Sequence, residues 1–144
     1  MDEYIAGSLK GKPLPNLDGI AKGLGRDLFA GKPVLVCLWD MQQRPSRRQI
    51  IALRDKAQKL GDQSLAIIAI QAAKVDQREL EEWVTDNDIP FALGMIADRP
   101  AKTRNNLGVR SLPWLILTDA THCVVAEGFS LDDLDQELQK LGEN

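Results

Sequence analysis

Two apolar segments with a helix-patterned stretch between them constrain the fold of this chain more than any other feature. Residues 33–39 (PVLVCLW) and 65–71 (LAIIAIQ) are apolar at nearly every position. A strand with one solvent face alternates apolar and polar residues, so both segments are predicted to be strands covered on both faces. Between them, one apolar stripe follows a helical period: Ile50, Leu53, Ala57 and Leu60. Strand, helix and strand in this order predict a parallel pair of strands.

Polar residues mark where the helices of this chain should begin and end. Ser46 with Gln49 resembles a capping box for the first helix, and Gly61 can end that helix. Asp76 with Glu79 has the same spacing and predicts the start of a second helix. Each strand is therefore followed by a helix in the first part of the chain.

The second part of the chain is patterned as a hairpin and a closing helix. Residues 113–129 are predicted to form a β-hairpin around the polar turn ATH, and Ser130 to cap the last helix. Four shorter segments complete the prediction: a loop or edge hairpin over 7–17, short helices over 20–28 and 99–108, and an extended segment over 89–96. This order predicts an α/β fold with a mixed sheet and helices on both faces.

Length and charge limit the function classes. The 144 residues fit a single domain, and a net charge of −3 favours neither nucleic acid nor an anionic membrane as a partner. No apolar run approaches the roughly 18 residues of a membrane-spanning helix, so no membrane insertion is expected. The first residues lack the basic and apolar parts of a signal peptide. A domain cut from a larger exported protein would lack them too, so the compartment stays open.

Four short stretches give the chain a family resemblance. GKPVLVCLWD, GVRSLPWLILTD, AEGF and the early LKGKPLPNL together resemble the thioredoxin-like superfamily, and within it the bacterial TlpA-type domains. The resemblance implies a thioredoxin core over residues 31–141 with an N-terminal extension over 1–30. It also implies a cis Leu112–Pro113 bond, next to which an extended peptide pairs, and it favours an extracytoplasmic location.

The redox motif of that family is missing from this sequence. Counting from Trp39, the C-x-x-C loop falls on Gln43, Arg44, Pro45 and Ser46. Thiol–disulfide exchange needs one thiol to attack and a second to resolve the mixed disulfide, and peroxide reduction needs a thiolate at the same place. We therefore expect no catalytic residue, no cofactor and no metal here, and a domain without redox activity.

The former active-site face remains a candidate binding surface for a protein or peptide. It comprises Gln43, Arg44, Pro45, Ser46, Arg47, Leu112, Pro113 and Trp114. Arginines cluster at the start of a helix here, joined by Arg48 and Arg110, and with exposed N–H groups they predict a site for an anion or an acidic peptide. Trp39 and Trp114 are expected to line one groove. The alternative is that these residues serve the fold alone, in an assembly domain of a larger protein.

Cys37 and Cys123 are the remaining candidates for thiol chemistry. They lie two strand spacings apart, about 9.5 Å, which exceeds the roughly 7 Å limit for a disulfide. Cys37 is interpreted as a buried core residue and Cys123 as structural, with an oxidoreductase or redox-sensor role through either thiol as the alternative. His122, beside Cys123, has no companion ligand or base in the sequence and is interpreted as a turn residue.

Overall fold

The structure is a computed structural model and describes residues 9–15, 21–22, 30–61, 65–96 and 99–142. Its strands are β1 (Ala21–Lys22), β2 (Val34–Trp39), β3 (Ala66–Gln71), β4 (Ala92–Ile96), β5 (Trp114–Thr118) and β6 (Val124–Glu127). Its helices are α1 (Arg44–Gly61), α2 (Gln77–Asp86), α3 (Pro100–Asn106) and α4 (Leu134–Gly142), with a 3-10 helix over Leu131–Asp133. In the described part, strands and helices alternate from β2 to β5, and a hairpin and α4 follow.

The six strands form one mixed sheet in the order β1-β4-β3-β2-β5-β6. The strands β2, β3 and β4 run parallel, because α1 and α2 carry the chain across between them. Strand β5 is antiparallel to β2, and it pairs with β6 as the predicted hairpin. Strand β2 is therefore central, with Cys37 between Ala69 of β3 and Leu115 of β5.

Side chains of β2 alternate between two hydrophobic layers, one on each face of the sheet. Odd-numbered residues 35–39 face a layer that α1, α2 and α4 complete through Leu53, Leu80 and Leu134. Even-numbered residues 34–38 face a second layer, which includes Leu107 at the end of α3. All six residues of β2 are buried. The predicted α/β architecture, with helices on both faces of a mixed sheet, is confirmed.

The described parts of the N-terminal extension border both edges of the sheet. Near β6, the Gly11 N–H donates to the Val124 carbonyl (2.9 Å), and the Val124 N–H donates to the Lys12 carbonyl (2.9 Å). At the other edge, β1 pairs antiparallel with β4. The helix predicted over 20–28 is wrong at Ala21–Lys22, where pairing with β4 imposes a strand, and its other residues lie outside the described ranges.

Two of the three predicted N-terminal caps agree with the structure. The Asp76 carboxylate caps α2 by accepting from two N–H groups of its first turn. The Ser130 hydroxyl caps the 3-10 helix before α4. The capping box predicted at Ser46 is wrong, because α1 begins two residues earlier at Arg44. Pro45 accounts for the difference, since its fixed φ and missing N–H suit the first turn of a helix.

Candidate functional site

The loop after β2 and the turn before β5 meet at one end of the sheet. The strands are antiparallel with Leu38 opposite Trp114. Continuing this register by one residue places Pro113 beside Trp39. The Leu112–Pro113 peptide bond is cis. The two segments that the sequence singled out, residues 43–47 and 112–114, therefore lie at the same end of the sheet.

Asp40 organises the loop between β2 and α1. Its side chain is buried, with 7% of the residue exposed. One carboxylate oxygen accepts from the Gln42 N–H (3.0 Å) and from the Gln71 amide (3.2 Å), and the other accepts from the Gln43 amide (3.4 Å). The Asp40 carbonyl also accepts from the Gln43 N–H (2.9 Å). The carboxylate thus ties the loop to itself and to β3.

Gln71, at the end of β3, completes this network and is fully buried. Its Oε1 accepts from the Met41 N–H at 2.9 Å, and its Nε2 donates to Asp40 and to the Ala73 carbonyl at 3.1 Å. Only one orientation of the amide satisfies a donor on one side and two acceptors on the other. A buried amide with every group paired stabilises one loop conformation, because any rearrangement leaves a buried polar atom unpaired.

The first turn of α1 presents both exposed and buried residues at the positions of the missing motif. Gln43, Arg44 and Pro45 are exposed, whereas Ser46 is fully buried. The Ser46 Oγ has no hydrogen-bond partner among the described residues. Ser46 therefore lies beneath the face, while the three residues before it form its surface.

The arginines around this turn fall into two groups. The Arg47 guanidinium donates to the Met41 carbonyl at 2.9 Å and so supports the loop. Arg44, Arg48 and Arg110 are exposed, and Arg44 and Arg48 lie one helical turn apart. The N–H groups of Met41, Gln42 and Gln43 are all used internally. The predicted anion site therefore cannot use the loop N–H groups, and it depends on the arginine side chains and the first turn of α1.

Trp39 and Trp114 do not share a groove, and that prediction is wrong. Trp39 is fully buried in the layer of α1 and α2, where its ring lies 5.2 Å from that of Trp83. Trp114 is partly buried and packs against the opposite layer. The alternation of side chains along paired strands causes the separation, because Trp114 is opposite Leu38 and not Trp39.

A comparison of the sequence with protein families identifies its relatives. The profile of the AhpC/TSA family matches residues 11–140, which is most of the chain. The chain belongs to the AhpC/TSA family. No curated protein matches its sequence.

Solved structures share the fold of this AhpC/TSA-family chain. A thiol:disulfide interchange protein from Bacteroides sp. has a TM-score of 0.72 at 18% identity, covering 99% of this chain and 93% of that one. A thioredoxin-like protein in the oxidized form has a TM-score of 0.73 at 19% identity, covering 92% of this chain and 96% of that one. A thiol-disulfide oxidoreductase from Bacteroides fragilis NCTC 9343 has a TM-score of 0.70 at 16% identity, covering 81% of this chain and 86% of that one. The thioredoxin-like resemblance is confirmed at the level of the fold.

The two cysteines of this AhpC/TSA-family chain are free thiols in different surroundings. Cys37 is fully buried, and burial raises the pKa of its thiol to about 12, although a hydrogen bond with Gln49 lowers it in part. Cys123 is partly buried and forms an isolated bridge with Pro13. Strand β5 separates the two cysteines. A protonated and inaccessible thiol cannot attack a disulfide, so Cys37 is unsuited to exchange chemistry.

His122 occupies the hairpin turn with a positive φ of 69°. Its Nε2 lies 3.1 Å from the Lys32 carbonyl oxygen, which ties the turn to the residues before β2. Within the described ranges, no group of three His, Cys, Asp or Glu residues is placed to hold a metal ion. The helices of the same ranges include none that is both long and apolar enough to cross a membrane.

Sequence reasoning missed Asp40 and Gln71, the two residues that organise the site of this AhpC/TSA-family chain. Each was visible as a polar residue next to a fully apolar strand: Asp40 directly follows Trp39, and Gln71 ends LAIIAIQ. Parallel neighbouring strands bring such residues to the same end of a sheet. That combination was the signal that would have identified them.

Proposed function

We propose that this chain is a thioredoxin-like domain without redox activity that binds a protein or peptide segment through its former active-site face. The observation that carries the proposal is the occupant of the motif position. Where exchange chemistry needs an exposed thiol, the chain has the Gln43 carboxamide, held by the Asp40 carboxylate. Gln43, Arg44, Pro45, Leu112, Pro113 and Trp114 form the contact surface, and Ser46 and Arg47 support it from beneath.

Conformational order in the loop supports a binding role. Three successive N–H groups and a buried carboxylate are paired within residues 40–43 and Gln71. A surface that is ordered before binding loses less conformational entropy when a partner docks. Residues 112–114 lie at the same end of the sheet as this loop, and the two segments together form the proposed binding surface.

Charge supports an acidic partner. Residues 41–54 contain four arginines and no acidic residue, although the whole chain has a net charge of −3. Arg44 and Arg48 are like charges one turn apart at a helix N-terminus, an arrangement that both the helix dipole and mutual repulsion disfavour. An acidic segment bound across the first turn of α1 would relieve both effects.

A second candidate function is redox chemistry through Cys123. The observation that favours it is partial exposure, since Cys123 is only half-buried whereas Cys37 is fully buried. This reading predicts that Cys123 in the folded protein is alkylated by iodoacetamide as fast as a free thiol in a peptide. If Cys123 were alkylated slowly in the folded protein and quickly only in denaturant, redox chemistry through Cys123 would be excluded.

Binding is tested by selecting a phage-displayed library of random peptides against the folded chain. We expect enrichment of peptides rich in Asp and Glu, with dissociation constants that increase with salt. In Arg44→Glu/Arg48→Glu the same peptides should bind at least about tenfold more weakly. The control Lys12→Glu/Lys32→Glu reverses two charges on exposed residues beside the β5–β6 turn, at the opposite end of the sheet. An equal loss in both variants, or no enrichment, would contradict the proposal.

A further inference from the structure

We propose that Asp40 is a positioning residue of this face, and that it turns the Gln43 side chain into a hydrogen-bond acceptor for the main chain of the bound segment. The inference rests on the proposed function and specifies the contact that the ligand makes there. It follows from the hydrogen bond between the Gln43 amide and the buried Asp40 carboxylate, and not from the exposure of Gln43 alone.

The carboxylate of Asp40 decides which end of the Gln43 amide faces outward. Asp40 Oδ2 accepts from Gln43 Nε2 at 3.4 Å, the longest bond of the network. An ionised carboxylate only accepts, so it can hold the amide nitrogen and not the amide oxygen. No described residue donates to Gln43 Oε1, and the side chain is exposed. Gln43 therefore presents its oxygen to solvent.

The network uses most of the main-chain groups of the loop. Its N–H groups at Met41, Gln42 and Gln43 donate within the network, and the Met41 carbonyl is used by Arg47. The Gln42 carbonyl and side-chain amide are not held by the network, so Gln43 Oε1 is the outward-facing acceptor whose direction the network fixes. A bound segment donates a backbone N–H to it, while acidic side chains of the same segment reach Arg44 and Arg48.

Asp40→Asn is the variant that separates positioning from folding. The asparagine oxygen can still accept from the Gln42 N–H and from Gln71, as Asp40 Oδ1 does. Its amide nitrogen then faces the Gln43 amide nitrogen, and two donors cannot pair. The loop should stay in place, and the Gln43 amide should either be released or turn over so that its oxygen accepts from the asparagine nitrogen. In both cases the Gln43 NH2 group loses its acceptor, and the oxygen is no longer held outward. Asp119→Asn makes the same change at the aspartate that follows β5 and serves as the control.

The first readout is the exchange of the Gln43 side-chain amide protons, followed by NMR without ligand. In the wild-type chain these protons should exchange more slowly than those of the exposed Gln42 side chain. In Asp40→Asn the two side chains should exchange at the same rate, and in Asp119→Asn the difference should remain. Equal rates in the wild-type chain would overturn the positioning role, whatever the ligand is.

The second readout is the affinity of an acidic peptide selected from the phage library. Asp40→Asn and Gln43→Ala should each weaken binding about fivefold, as expected for one hydrogen bond. The double variant should be no weaker than either single variant, because both remove the same contact. Additive losses would overturn the inference. If no peptide is selected, the proposed function and the acceptor role both fail, while the exchange rates still decide whether Asp40 positions Gln43.

Discussion

Two aspartates occupy equivalent places at opposite ends of the sheet, and their surroundings differ. Asp40 directly follows β2 and Asp119 directly follows β5. Each accepts from the N–H two residues further on, Gln42 at 3.0 Å and Thr121 at 2.9 Å. Asp119 finds its other partners within four residues, in Thr121 and Cys123. Asp40 reaches Gln71, which is 31 residues away in sequence.

The difference in partners shows that Asp119 stabilises a local turn, whereas Asp40 stabilises a loop through a contact between strands. The bonds of Asp119 are those of an Asx turn, which local sequence specifies and which closes a hairpin. The bonds of Asp40 depend on β2 and β3 lying side by side, and they bury a carboxylate. A buried charged group held by distant partners needs the whole fold to support it. Such a group is more informative about function than a capped turn.

The largest effect is expected from breaking the network at Gln71. In Gln71→Leu the Met41 N–H and the Asp40 carboxylate lose a buried partner, so the free energy of unfolding should fall by about 2–4 kcal/mol. Thr121→Ala removes one exposed hydrogen bond of Asp119 and should reduce the free energy of unfolding by less than about 1 kcal/mol. Urea denaturation of both variants measures the difference. Equal losses would mean that the two aspartates are equivalent.

The second effect concerns the two thiols, one in the middle of β2 and one beside the Asp119 turn. Burial raises the pKa of Cys37 from 9.0 to about 12. Above pH 9 the unfolded chain therefore releases a proton that the folded chain keeps, so this contribution to stability is full below pH 9 and is lost between about pH 9 and 12. The loss should approach about 1.4 kcal/mol per pH unit.

Cys37→Ala should remove this alkaline slope, and Cys123→Ala should leave it in place. The measurement is the free energy of unfolding of the three proteins from pH 8 to 11. If Cys123→Ala removed the slope and Cys37→Ala did not, the thiol with the raised pKa would be Cys123 and the prediction would be wrong.

A smaller effect is expected at Ser46. Its hydroxyl is buried without a partner among the described residues, so Ser46→Ala should leave stability unchanged or increase it by up to about 1 kcal/mol. Ser130 accepts the Asp132 N–H at 3.2 Å, and Ser130→Ala should destabilise by about 1 kcal/mol. Thermal unfolding of both variants tests the contrast. Destabilisation by Ser46→Ala would show that its hydroxyl has a partner in solution.

The smallest effect is expected from removing the charge of Asp119. Hydrogen bonds, first from the Thr121 hydroxyl and then from the Cys123 and Thr121 N–H groups, hold the pKa of Asp119 below its usual value. Its contribution to stability is therefore present above about pH 4 and is lost as the pH falls through the lowered pKa. Asp119→Asn should weaken the dependence of stability on acid pH slightly. If the dependence of stability on acid pH were the same in Asp119→Asn as in the wild-type chain, the lowered pKa of Asp119 would be contradicted.

The sequence predicted those parts of the fold that local pattern controls. Continuous apolar runs gave β2 and β3, the Asp76 cap gave the start of α2, and the ATH turn gave the β5–β6 hairpin. Counting from Trp39 also located residues 43–46, where the resemblance implies the C-x-x-C motif. Each of these features depends on residues close together in the chain.

The rest depended on contacts that only the folded chain creates. The strand at Ala21–Lys22 exists because β4 provides an edge, whereas residues 20–28 suggested a short helix, weakened by Gly23 and Gly25. The separation of Trp39 from Trp114 follows from the register of β2 and β5. The Asp40–Gln71 bond joins residues 31 positions apart. No local pattern specifies these three features.

The most direct test of a binding face without thiol chemistry is dithiothreitol-driven reduction of a protein disulfide. Three proteins are compared: the wild-type chain, Cys37→Ala/Cys123→Ala, and Gln43→Cys/Ser46→Cys, which places thiols at an exposed and a buried position of the motif. The wild-type chain and the variant without thiols should both match the rate without protein, and Gln43→Cys/Ser46→Cys should exceed it. A wild-type rate above background that disappears in Cys37→Ala/Cys123→Ala would contradict the account.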